Sequence, residues 1–126
     1  MGLPFYWNEL NTYDFAGLDP EKTVAILPIA STEQHGPHLP IATDVAIATG
    51  MLAEFRRQKP ADLATLVLPM QEIGKANEHI YGPGTLSFGW DILIPAWTAI
   101  GQKVAEAGIR KLVIVNSHGG NLDVMH

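Results

Sequence analysis

Apolar residues follow two patterns along this chain, and their alternation predicts its architecture. Val24 to Ile29 is a short, continuously apolar run between turn residues, the form of a strand buried on both faces in a parallel sheet. From Thr43 or Asp44 to about Gln58 the apolar positions Val45, Ala48, Met51, Leu52 and Phe55 recur at helical spacing, and Glu54, Arg56 and Arg57 fall elsewhere. Lys59-Pro60 ends this helix, because the residue before a proline is pushed out of the helical region. Thr65 to Leu68 reads as a second strand. A second helix begins near Asp91, with Leu93, Trp97, Ile100, Val104 and Ala107 as its buried stripe and Gly108 as its C-terminal cap. Pro95 is tolerated there only near the helix start. Lys111 to Val115 is a third strand.

Polar and turn-forming residues fill the gaps. Ala30 to Thr43 is a loop interrupted by Gly36, Pro37 and Pro40. Residues 69 to 90 read as irregular, since Gly74, Gly82, Pro83, Gly84 and Gly89 are too closely spaced for a long element, and a loop of this length in a compact domain is usually functional. Asn116-Ser117-His118-Gly119-Gly120-Asn121 follows the third strand directly. The order strand, helix, strand, helix, strand predicts right-handed crossovers and an α/β fold with a mostly parallel sheet flanked by helices. Ligands in such sheets lie beyond the carboxyl ends of the strands. The polar clusters at 31–44 and 116–121 both follow strands, so the fold would bring them to one edge.

Composition narrows the functional classes. The 126 residues suit a single α/β domain over residues 1–126, and a chain of this size buries roughly two thirds of its unfolded surface. Hydrophobic residues make up 47% and charged residues 17%, both dispersed, as in a globular chain. A net charge of −5 without a basic cluster argues against nucleic acid as a partner. There are no cysteines, which removes disulfides and thiolate zinc sites, so any metal must be held by His, Asp and Glu. The first residues lack the character of a signal peptide, and no apolar run reaches the ~18 residues of a membrane span, so the expectation is a soluble, cytoplasmic protein. The sequence stops shortly after a polar loop from which an α/β unit would continue into a helix, and a C-terminal truncation is therefore expected.

The chemistry is concentrated in Ser31 to Asp44. Glu33 and His35 are two apart, and in an extended chain such side chains project to the same side. Asp44 would sit at the N-terminus of the first helix, a favourable place for an anion. His118 supplies a nitrogen from the end of the third strand. Two carboxylates with two imidazoles suit Zn or Mn, with Fe as a further candidate, whereas an oxygen-only cage would suggest Ca or Mg. A carboxylate can bridge two ions, and such a pair acidifies a shared water and polarises a carbonyl, which leads to hydrolysis of a carbonyl–nitrogen bond. On residue chemistry alone such a site stands at even odds with a structural role for these side chains. Structural roles are the expectation for His38, for Glu78 and His79, and for Trp7, Trp90 and Trp97 as packing residues. Gly119 and Gly120 have two readings, a tight turn and a bare backbone that lets substrate approach its N–H groups.

Ile26-Leu27-Pro28-Ile29-Ala30-Ser31-Thr32-Glu33-Gln34-His35-Gly36-Pro37-His38-Leu39-Pro40 followed by Thr43-Asp44 strongly resembles the opening motif of the creatininase (creatinine amidohydrolase) family. Gly82-Pro83-Gly84-Thr85 and Val115-Asn116-Ser117-His118-Gly119-Gly120-Asn121 continue the resemblance in the family's order. It implies a three-layer α/β/α fold, a homo-oligomer and two divalent ions per site. Glu33, Asp44 and His118 would hold one ion, and His35 with Asp44 the other. The implied activity is a metal-dependent amidohydrolase that opens a non-peptide or cyclic amide C–N bond of a small-molecule substrate with a metal-activated water.

Departures from the family pattern qualify this reading. Ala30 replaces the family's usual Gly. Asn77 stands where a Ser often contacts substrate; with Gly119 it is a candidate substrate-binding residue. Gly120 stands where creatininase itself has a carboxylate, which argues against creatinine as the substrate. Family members are about twice as long, and a later acidic residue of their metal centre has no counterpart here. The alternative is therefore a non-catalytic metal-binding or assembly module with an incomplete site. A dinucleotide-binding domain is disfavoured, because no G-x-G-x-x-G follows the first strand.

Overall fold

The apolar run Val24–Ile29 forms β1, the central strand of a three-stranded parallel sheet ordered β2-β1-β3. The computed structural model describes residues 2–76 and 83–125. In chain order β1 leads to α1 (Thr43–Gln58), β2 (Thr65–Val67), α2 (Trp90–Glu106), β3 (Lys111–Asn116) and a short α3 (Leu122–Met125). Two 3-10 turns, Trp7–Glu9 and Thr12–Gly17, precede β1, and a third, Gly119–Asn121, leads into α3.

Alternation along β1 sends its side chains into two separate cores. Ala25, Leu27 and Ile29 pack with Leu66, Leu68 and the α2 residues Leu93, Trp97 and Val104. Ile26 packs on the opposite face with Phe5, Val67 and the α1 residue Leu52. The helices thus cover opposite faces of the parallel sheet that the apolar pattern predicts, in the three-layer α/β/α arrangement that the family resemblance implies. Its topology sets the position of the site. The loop after β1 runs to α1 on one face, whereas the loop after β3 runs to α3, whose Val124 joins the α2 core on the other. The connections leaving the adjacent β1 and β3 therefore pass to opposite faces, the switch point beyond which ligands bind in doubly wound sheets.

Several local expectations differ from the fold. β2 ends at Val67, and β3 continues to Asn116, which pairs with Ile29. Met51 was expected in the buried stripe of α1 but is 46% exposed; the covered face is Asp44, Ala48 and Leu52. Trp90 was expected to pack but is 60% exposed at the first position of α2. Pro95 lies a turn deeper in α2 than a proline of the first turn. Its missing N–H leaves the carbonyl of residue 91 without a helical partner, which is tolerable because Asp91 is exposed. Gly108 does close α2, at φ 94°, in the left-handed region that a side chain disfavours. Among the described residues no helix is long and apolar enough to cross a membrane.

Candidate metal centre

Three backbone segments meet at the carboxyl end of the sheet. The parallel ladder carries on past the strands, with the Ser117 N–H after β3 donating to the Ile29 carbonyl at 3.0 Å and the Ala30 N–H after β1 donating to the carbonyl of Gln71 after β2 at 2.9 Å. The loop after β1 is folded back by the Glu33 N–H, which donates to the Ile41 carbonyl at 3.1 Å. A second loop braces it: the Gln34 N–H donates to Thr85 Oγ1 at 2.9 Å, and the Leu86 N–H donates to the Thr32 carbonyl at 2.9 Å. The Ser117 hydroxyl donates to the Asp44 carbonyl at 3.0 Å, tying the first turn of α1 to the end of β3.

These ties bring Glu33, His35, Asp44 and His118 together, the set expected from sequence. Ligand atoms of Glu33, His35 and Asp44 lie within 4.8 Å of one another. Asp44 divides its carboxylate between the two imidazoles. Oδ1 is 3.2 Å from His35 Nε2, and Oδ2 is 2.9 Å from His118 Nδ1. Glu33 Oε1 faces both rings, at 3.1 Å from His118 Nδ1 and 3.7 Å from His35 Nε2. Both carboxylates and His118 are buried, while His35 lies towards solvent, with 22% of its side chain exposed.

The far nitrogen of each ring is held by a backbone carbonyl. His35 Nδ1 is 2.9 Å from the Glu33 carbonyl, and His118 Nε2 is 2.9 Å from the Lys75 carbonyl. A carbonyl only accepts, so each of these nitrogens carries a proton and donates. The nitrogens facing the carboxylates are His35 Nε2 and His118 Nδ1, and a far nitrogen bonded to a carbonyl is the arrangement that metal-binding histidines adopt. The hydrogen bond to Glu33, reinforced by the nearby Asp44 and Glu33 charges, raises the His35 pKa above its ordinary value against the opposing effect of burial. The negative field that favours this proton would equally favour a cation.

Whether a divalent ion fits can be judged from Asp44. Its buried Oδ2 accepts no hydrogen bond although His118 Nδ1 is only 2.9 Å away, since the ring proton is given to Lys75. A cation placed between the Asp44 carboxylate and the His118 ring would meet a negative charge and an imidazole nitrogen at once. Ligand atoms ~2.1 Å from one Zn ion stand ~3.0 to ~3.4 Å apart for angles between a right angle and the tetrahedral value. The contacts at 2.9, 3.1 and 3.2 Å lie at or near that range. The donor set of carboxylate oxygen and imidazole nitrogen suits Zn or Mn.

Other expected site residues fall differently. Gly119 is exposed, with nothing within 4 Å of where a Cβ would stand, so its backbone is open to an approaching molecule. It opens the 3-10 turn Gly119–Asn121 that carries β3 into α3, as the tight-turn reading expects, and it does so without a positive φ. His38 is exposed and rests against Gly36, outside the cluster. Asn77, Glu78 and His79 lie outside the described residues. Sequence reasoning gave no role to Lys75, whose contribution is a backbone carbonyl and leaves no trace in residue type, or to Asn121, a fully buried amide in the second motif.

Known proteins share this arrangement of sequence and fold. A mycofactocin precursor peptide peptidase of Mycolicibacterium smegmatis is 38% identical over 104 residues, covering 81% of this chain and 42% of the relative. A mutant creatininase of Zn-Zn type superposes with a TM-score of 0.78 at 25% identity, covering 95% of this chain and 48% of that one. The Mn form of creatininase gives a TM-score of 0.76 at 25% identity, covering 98% and 49%. The chain thus spans about half the length of these proteins. The family profile of creatininase, creatinine amidohydrolase, matches residues 8–126, and the chain belongs to that family.

Proposed function

We propose that this chain carries the metal-binding part of an amidohydrolase, a hydrolase of carbonyl–nitrogen bonds that works with two divalent ions, Zn or Mn. The observation that carries the reading is the division of Asp44: one oxygen faces each histidine, and each histidine is held at its far nitrogen by a backbone carbonyl. One ion would be held by Glu33, Asp44 and His118, the other by His35 and Asp44. Ions bound there supply Lewis acidity towards a water and an amide carbonyl.

The chain's own residues supply position and field. Burial of Glu33 and Asp44 lowers the local dielectric, so their charges act more strongly than they would in water. His35, the most exposed of the four, marks the side from which solvent and substrate enter. Gly119 offers unobstructed backbone beside His118, where a substrate carbonyl can lie against the chain. The relatives named for a precursor peptide and for creatinine widen the substrate class to small cyclic amides and short peptides. A cytoplasmic homo-oligomer is part of the same proposal, and the apolar Leu112 and Val113, 38% and 47% exposed on β3, offer surface for assembly.

Protein purified without chelator should contain Zn or Mn at close to two ions per chain by elemental analysis. Treatment with a strong chelator should abolish hydrolysis across a panel of those amides, and restoring Zn or Mn should recover it. Hydrolysis that persists in protein shown to be metal-free would refute the proposal.

A further inference from the structure

We infer that Asn121 is a positioning residue for the metal centre: its amide fixes the Lys75 peptide, and the Lys75 carbonyl in turn fixes the ring of His118. The inference rests on the metal-centre reading and adds a residue that neither the sequence motifs nor the ligand set assigns to it.

Asn121 is fully buried, five residues beyond the end of β3, and its amide bonds to three separate segments, those of Ala30, Lys75 and Asn116. Oδ1 accepts from the Lys75 N–H at 3.0 Å. Nδ2 donates to the Ala30 carbonyl at 3.0 Å and to Asn116 Oδ1 at 3.3 Å. These partners fix which end of the amide is which, because an N–H must meet the oxygen and a carbonyl must meet the nitrogen. Asn116 Oδ1 also accepts from the His118 N–H at 3.1 Å. The ring closes at His118, whose Nε2–H donates to the Lys75 carbonyl at 2.9 Å. Lys75 is thus gripped by Asn121 at its nitrogen and spends its carbonyl on His118.

Gly74 indicates how tightly the grip is set. A Cβ there would stand 2.4 Å from both the Ala30 carbonyl oxygen and Asn121 Oδ1, so only glycine lets the loop approach. Lys75 lies in an irregular segment with no ladder of its own. Among the described residues Asn121 is what accepts its N–H, and without that amide the carbonyl that selects the His118 tautomer would lose its fixed position. Partners of this kind, one bond removed from a ligand, typically contribute 10- to 100-fold in metal affinity.

The test uses Co²⁺ as probe, with affinity and visible spectrum measured by titration into metal-free protein. Asn121→Ala should weaken Co²⁺ binding by ~10–100-fold and alter the spectrum. Val104→Ala, which opens the core around α2 far from the site, should lower the melting temperature while leaving affinity and spectrum as in the native protein. Should Asn121→Ala fail to fold, nitrogen NMR of native His118 decides: Nε2 should carry a slowly exchanging proton, and Nδ1 should be the nitrogen whose shift moves on adding Zn²⁺. The inference is overturned if Asn121→Ala keeps native affinity, if Val104→Ala loses as much, or if Nε2 is the nitrogen that moves. Native protein that takes up no Co²⁺ at all overturns the metal-centre reading and this inference together, whereas native binding retained by Asn121→Ala overturns the inference alone.

Discussion

Asp44→Asn should empty the metal centre while leaving the fold intact. The substitution keeps the shape of the side chain but replaces one oxygen by an NH₂ group that cannot ligate, at the position that serves both histidines. Loss of a partner one bond removed from a ligand typically costs ~10–100-fold in affinity, so loss of a bridging ligand should exceed ~100-fold, and hydrolysis should fall with occupancy. The fold should not suffer in parallel. Asp44 and Glu33 are buried carboxylates with oxygens within 4.8 Å of one another, a repulsion of at least ~3.5 kcal/mol at an effective dielectric near 20 before the histidines offset it. Against that, an anion in the first turn of α1 contributes only ~0.3–1 kcal/mol through the helix dipole. Metal-free Asp44→Asn protein should therefore melt no lower than metal-free native protein. Elemental analysis and thermal melts of the two proteins check both halves.

Leu27→Ala should have the largest effect on stability. Leu27 is 1% exposed on the central strand and packs with the α2 residues Leu93, Trp97 and Val104. Truncating a leucine in such a place removes its transfer energy and leaves a cavity, together ~2–5 kcal/mol. Domains of this size have ~5–15 kcal/mol in all. With a urea slope of ~1–3 kcal/mol per molar, the unfolding midpoint should fall by ~1–2 M. Ile47→Ala is the comparison: Ile47 is 49% exposed on α1, and its truncation should change stability by less than ~0.5 kcal/mol. Equal losses at the two positions would show that the cores are not where the packing places them.

Much of this architecture was legible in the residue pattern because its signals are local. The bounds of β1 and α1 follow from a six-residue apolar run, a helical stripe and the Lys59-Pro60 stop. Glu33, His35, Asp44 and His118 were legible as candidates because side chains with metal chemistry fall in the loops after β1 and β3 and at the start of α1. The illegible features are those decided by long-range neighbours. Periodicity marks the apolar face of a helix but not how far a partner covers it, so Met51 and Trp90 were read as buried. The apolar run of β3 resembles that of β1, yet the order β2-β1-β3 leaves β3 at an edge with Leu112 and Val113 partly exposed. Pairing order depends on contacts between residues tens of positions apart, which no short window contains. Lys75 acts through its carbonyl, and a backbone group has no sequence signature. Asn121 was visible as part of a motif, but its role depends on Gly74 and Ala30 arriving beside it from two other segments.

The central claim is that Asp44 stands between His35 and His118 as the shared ligand of a pair of ions. X-ray absorption at the zinc edge of the Zn-loaded protein tests it most directly. Two imidazoles should appear among nitrogen and oxygen ligands at ~2.0–2.2 Å, with a metal–metal scattering path at ~3.5–4 Å, and Asp44→Asn should remove that path. A spectrum free of imidazole scattering, or one unchanged by Asp44→Asn, would contradict the account.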